Sequence, residues 1–167
     1  MDESCDKTLK KLIVIGSDHA GVKLKTHLKN YIEGLNGFTV LDLGTNSSDS
    51  CDFPDFAEKV SDAVLKNELS RGILICGSGI GVSIAANKVP GIRCALVHDH
   101  LTAKLSVEHT NCNVIAMGER IIGTLQAETI FDTFVKSEFI CMPNYVRRLD
   151  KITEIENKNK SKENNNL

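Results

Sequence analysis

The run "GILICGSGIGVSIAANK", residues 72–88, decides the fold. Ile73, Leu74 and Ile75 form an unbroken aliphatic stretch that ends on Cys76, as expected of a strand covered on both faces. Gly77, Gly79 and Gly81 then alternate through a turn, and residues 80–88 resume with helical periodicity. Strand, glycine turn and helix in that order are the repeating unit of a parallel α/β sheet.

The same unit recurs on either side. Short aliphatic runs at 12–16, 38–43, 92–97 and 113–117 read as further buried parallel strands. Helical periodicity fills 22–33, 55–69, 100–108 and 123–135 between and after them. Five such repeats predict an α/β fold, an open parallel sheet with helices on both faces. A final amphipathic helix is expected over 144–156, carrying Arg147 and Arg148. Residues 1–11 read as an N-terminal extension, 12–156 as the domain, and the polar 157–167 as a disordered tail with nothing apolar to bury.

The 167 residues suffice for one domain, which buries roughly 70% of the surface of its unfolded chain. A net charge of −2 offers no electrostatic attraction for nucleic acid or an anionic membrane. The charged N-terminus lacks the apolar segment of a signal peptide, and no apolar run is long enough to span a bilayer. The expectation is a cytoplasmic protein whose six cysteines, scattered without a CxxC pair, are free thiols with no structural zinc.

In open α/β sheets ligands sit beyond the carboxyl ends of the strands, which directs attention to "GSDHAG" (16–21), the loop 42–55, "CGSGIG" (76–81), "VHDH" (97–100) and residues 118–120. Two familiar phosphate motifs fail here. Val82 stands where a dinucleotide fingerprint needs its third glycine, and Val22-Lys23 follows Gly16–Gly21 where a P-loop needs Lys-Ser/Thr. What remains is a turn whose N–H groups can converge on an oxyanion or phosphate, with a thiol at its mouth. That thiol can be a nucleophile, a base or a small packing residue. Asp18 and His19 read equally as an acid/base pair or as a helix cap beside a surface histidine. His98 and His100 have ligand-like spacing but no third ligand, and His109 sits where a histidine can simply favour a helix terminus.

Taken together, "GSDHAG", "DLGTNSSDSCDFPDFA", "GILICGSGIGVSIAANKVPGIRCAL", "EHTNCNVIAMGER" and "RRLDKITEIE" resemble, in order, the ribose-5-phosphate isomerase B family, which includes allose- and galactose-6-phosphate isomerases. The resemblance covers about residues 12–156. It implies a Rossmann-like three-layer fold with a five-stranded parallel sheet, a homodimer or tetramer whose sites borrow residues from a neighbouring subunit, and no metal or organic cofactor. One branch of the family uses a cysteine before the glycine loop as base, the other a glutamate just after it. Cys76 and Val82 occupy those positions, so the chain is similar to the cysteine type.

By the same resemblance, Cys76 removes the proton from carbon 2, His109 assists ring opening, Asp18 binds sugar oxygens and Ser78 moves a proton between them. The N–H groups of Gly77, Gly79 and Gly81 stabilise the enediolate, and His19, Arg120 and Arg148 hold the phosphate. Three departures stand out. Thr110 replaces an asparagine after the ring-opening histidine, Phe53 replaces a tyrosine, and Asn144 replaces a phosphate arginine. The expected activity is interconversion of ribose 5-phosphate and ribulose 5-phosphate in the non-oxidative pentose phosphate pathway. A six-carbon sugar phosphate, or phosphosugar binding without turnover, is the alternative.

Overall fold

A computed structural model describes residues 10–164 of the chain. The chain runs β1 (Lys11–Ser17), a 3-10 turn (His19–Gly21), α1 (Val22–Glu33), β2 (Phe38–Asp42), α2 (Phe53–Leu65), β3 (Arg71–Cys76), α3 (Ile80–Ala86), β4 (Cys94–Leu96), α4 (His100–Glu108), β5 (Val114–Gly118), α5 (Thr124–Lys136) and α6 (Pro143–Asn164). All strand pairs are parallel, in the order β2-β1-β3-β5-β4. The expected α/β fold with five parallel strands and a C-terminal helix is what the chain adopts.

Alternation along the central strands builds two cores. Ile13, Ile15, Ile73, Ile75, Ile115 and Met117 face one layer, where α1, α4 and α5 pack. Val14, Leu74, Cys76, Val114 and Ala116 face the other, against α2 and α3. This explains the unbroken apolar runs, since every residue of a central strand has a helix above or below it. The chain turns from β1 outward to β2 and then crosses to β3 on the other side of β1. The topological switch point therefore lies between the carboxyl ends of β1 and β3, where such folds bind ligands.

Several boundaries differ from the sequence reading, each for a local reason. Strand β1 starts at Lys11, inside the supposed extension, because Lys11 already donates to the Gly37 carbonyl (2.8 Å); residues 1–9 lie outside the described chain. Helix α2 begins at Phe53, with Pro54 in its first turn. Helix α3 stops at Ala86 because the Asn87 side-chain amide pairs with both backbone groups of Cys94, at 2.8 Å each. Strand β4 is only three residues long, since Ile92 closes a turn onto the Val89 carbonyl (3.1 Å). The expected disordered tail is corrected over 157–164, where α6 continues to Asn164. Once a helix is nucleated, adding Lys, Glu and Asn costs little, so propagation does not need apolar residues. Residues 165–167 lie outside the described chain.

Candidate active site

The register sets the floor of the site. Ser17 pairs with Ile75 and Cys76 with Gly118, so Asp18, Cys76 and the Glu119-Arg120 pair leave adjacent strands at the same level. Cys76 is 6% exposed, and its sulfur accepts the Gly79 N–H at 3.0 Å. That backbone donor fixes the sulfur at the end of the strand, beneath the glycine loop. Gly79 holds that N–H in place with φ +80°, a conformation side chains disfavour. A methyl group there would also meet Leu96 at 2.6 Å and the Met117 backbone at 2.8 Å.

The glycine loop lies flat against the end of β5. Glu119 N–H donates to the Cys76 carbonyl (2.9 Å) and Arg120 N–H to the Gly77 carbonyl (3.0 Å). The Arg120 guanidinium runs alongside Gly77, where an added methyl would meet it at 3.4 Å. The Phe53 ring covers Gly81 so closely that a methyl there would lie 2.9 Å from it. Ser78 sits at the crest of the loop, its hydroxyl accepting the Ile80 N–H at 3.3 Å. Val82 is fully buried against the sheet, so no carboxylate occupies the alternative base position.

Asp18 takes the cap position that its sequence context allowed. Its Oδ1 accepts the Ala20 N–H (2.9 Å), capping the 3-10 turn, while the carboxylate stays at the strand end, 6% exposed. The His19 Nδ1 lies 3.2 Å from the Cys51 N–H and 3.3 Å from the Cys51 carbonyl. The loop from β2 to α2 thus closes onto the imidazole. That loop is itself anchored by Lys25, a fully buried cation bonded to both Asp42 oxygens (2.8 and 2.7 Å) and to Asn46 (2.9 Å).

Cys76, Ser78, the three glycines, Asp18, His19, Arg120 and Phe53 are therefore gathered at one end of the sheet. His109, Thr110 and Arg148 are not among them. Helix α4 starts beyond the carboxyl end of β4 and runs back along the sheet, carrying His109, its C-terminal cap, about 13 Å toward the opposite end. There Thr110 bonds to the Ser106 carbonyl (2.7 Å) and contacts Cys112, just before β5 begins. The His109 ring stacks on Tyr145 of α6, and the Arg148 guanidinium lies 5.8 Å from the same tyrosine. A cavity of about 710 Å³, lined by Arg93, Cys94, Thr110, Cys112, Ile152 and Glu156, opens at that end rather than beside Cys76.

Of the remaining candidates, His98 and His100 diverge. His98 Nε2 faces the Ser78 carbonyl (3.4 Å), whereas His100 begins α4 on the surface. Burial raises the thiol pKa values of both Cys94 and Cys112, which suits them as packing residues.

Four participants escaped the sequence reading: Lys25, Asn46, Glu119 and Tyr145. Glu119 accepts the Leu24 N–H in the first turn of α1 (2.9 Å), tying the Arg120 segment to the helix that follows His19. A lysine at a core-facing position of α1 was the one signal available for Lys25. The other three make contacts too distant in sequence for any local pattern to mark.

Comparison with known proteins places the chain in a family. The pattern of the ribose/galactose isomerase family matches residues 13–152. Ribose-5-phosphate isomerase B of Escherichia coli is 39% identical over 146 residues, 87% of this chain and 97% of that protein. A galactose-6-phosphate isomerase subunit of Clostridium acetobutylicum is 39% identical over 128 residues, 77% of this chain and 73% of that one. The solved ribose-5-phosphate isomerase B of Clostridium thermocellum superposes with a TM-score of 0.84 at 46% identity, covering 88% of this chain and 98% of that one. With its sheet order, its thiol-bearing glycine loop and these matches in agreement, the chain belongs to the ribose/galactose isomerase family, among the ribose-5-phosphate isomerases B, and is an isomerase.

Proposed function

We propose that the chain interconverts D-ribose 5-phosphate and D-ribulose 5-phosphate through an enediolate, with Cys76 as the base and no cofactor, in the non-oxidative pentose phosphate pathway. The observation that carries this reading is the Cys76 sulfur at the switch point, held 3.0 Å from the Gly79 N–H beneath a loop of N–H donors. Ring opening comes first. A proton moves to the ring oxygen as its bond to carbon 1 breaks, and the carbon 1 hydroxyl loses its proton to leave an aldehyde; His109 assists. The Cys76 thiolate then takes the proton from carbon 2. Negative charge passes to the carbonyl oxygen, where the N–H groups of Gly77, Gly79 and Gly81 stabilise it, each such donor being worth on the order of 3 kcal/mol in comparable sites.

Return of that proton to carbon 1, with Ser78 moving a proton between the two oxygens, completes the ketose. Asp18 binds sugar hydroxyls, Phe53 and Thr110 line the pocket, and His19, Arg120 and Arg148 hold the phosphate, which positions the sugar without reacting.

Because His109 and Arg148 lie at the opposite end of the sheet from Cys76, the reading needs a second subunit to supply them. We therefore assign a cytoplasmic homodimer with two shared sites. The test is ketose formation from ribose 5-phosphate by wild type and Cys76→Ala, without added metal. A loss of about a hundredfold or more fits removal of a general base. Equal turnover by the two proteins would remove Cys76 from the mechanism. The similarity to a galactose-6-phosphate isomerase subunit keeps a six-carbon substrate as the second reading, and parallel assays with allose and galactose 6-phosphates decide between them.

A further inference from the structure

We propose that Tyr145 is a positioning residue that fixes the plane of the His109 imidazole for ring opening; this rests on the reading above, in which His109 performs that step. The two rings lie nearly parallel, centroids 4.6 Å apart with 26° between planes. Among the described residues no hydrogen bond holds the imidazole, so this aromatic contact is what restrains its rotation about the Cα–Cβ and Cβ–Cγ bonds. The contact covers one face of the ring and leaves both nitrogen edges free to exchange protons with a sugar.

Both partners hang from anchored backbone. His109 caps α4, its N–H on the Leu105 carbonyl (3.0 Å). Tyr145 lies in the first turn of α6, its N–H on the Met142 carbonyl (2.9 Å). The segment between them is tied back by Ile140 N–H on the Glu108 carbonyl (3.0 Å). Since Arg148 lies 5.8 Å from the same tyrosine ring, one aromatic side chain serves both the ring-opening imidazole and a phosphate cation.

The ring step can be read separately from proton abstraction. Ribose 5-phosphate closes into a five-membered ring and must be opened. Ribulose 5-phosphate carries its phosphate on the oxygen that would close such a ring, so it stays open. Deuterium uptake from D2O at its carbon 1 therefore reports enediolate formation alone. Wild type, Tyr145→Leu and Tyr145→Phe are compared in both assays at saturating substrate. Tyr145→Leu is expected to slow ribose 5-phosphate turnover about tenfold, within the roughly hundredfold that misplacing a catalytic group by 1 Å can cost, and to leave deuterium uptake within about twofold. Tyr145→Phe keeps the ring and is expected to retain both.

Equal losses in the two assays would mean a merely structural role, and no loss in either would mean no role; each overturns the proposal. A Tyr145→Phe defect as large as that of Tyr145→Leu would shift the effect from ring to hydroxyl and overturn it too. Wild type that fails to turn over ribose 5-phosphate at all would remove the underlying reading, an outcome distinct from these.

Discussion

At the scale of single residues the glycine loop separates positions that need glycine from positions that tolerate a side chain. Gly79→Ala combines a φ of +80° with a Cβ only 2.6 Å from Leu96 and 2.8 Å from the Met117 backbone. It is expected to cost about 2 kcal/mol or more and to move the N–H away from Cys76, lowering both the melting temperature and turnover. Gly77→Ala meets only the guanidinium end of Arg120, at an ordinary contact distance of 3.4 Å, and is expected to change stability by less than about 0.5 kcal/mol. Urea melts of the two variants side by side check the contrast, and similar costs would contradict it. Asn144 adjoins Tyr145 on α6, where the resemblance leads one to expect an arginine. Asn144→Arg is expected to lower KM about three- to tenfold with kcat unchanged, as an added phosphate contact does. An unaltered KM would show that Asn144 does not face the phosphate.

Elements are joined here by a few buried polar contacts rather than by apolar packing alone. Lys25 on α1 bonds to Asp42 at the end of β2 and to Asn46 in the following loop, so one ammonium locks helix, strand and site wall together. Lys25→Met leaves the Asp42 carboxylate, 13% exposed, with only the Gly44 N–H at 3.0 Å and Lys29 at 3.9 Å. Breaking one side of such a pair is expected to cost about 3 kcal/mol, measurable by chemical denaturation. A cost below 1 kcal/mol would mean that water replaces the lysine. Helix α6 shows how an element outruns its sequence signal, because its last eight residues extend a helix nucleated by the amphipathic turns before them.

For the whole molecule, the proposed mechanism makes assembly a requirement for turnover, because it draws Cys76 and His109 from opposite ends of the sheet. Cys76→Ala and His109→Ala are each expected to be nearly inactive alone. Mixed and allowed to exchange subunits, they regain about a quarter of wild-type activity, since half the dimers are hybrid and each hybrid holds one intact site of two. No recovery would place both residues in one chain's site. The cores also predict an alkaline limit. Burial raises the Cys94 and Cys112 thiols above their ordinary value of 9.0, and burial together with Asp132 raises Tyr31 above 10.0. From pH 9 upward the unfolded chain therefore releases protons that the folded chain retains, and stability falls as pH rises. Melting temperatures between pH 8 and 10.5 are expected to decline, with a shallower slope in Cys94→Ala; an unchanged slope would exclude that thiol.

Much of this protein was determined by sequence alone. Local aliphatic runs and helical periodicity placed all five strands and six helices, because each central strand is buried on both faces and each helix shows one apolar stripe. The glycine spacing after Cys76 marked the site, since a tight turn against another backbone restricts the residue types it accepts. Only the tertiary structure decided which candidates meet. Adjacent strand register brings Asp18, Cys76 and Arg120 together across 102 positions of chain, and the antiparallel return of α4 carries His109 away to stack on Tyr145. Such contacts depend on how separate elements pack, and no local sequence pattern encodes that.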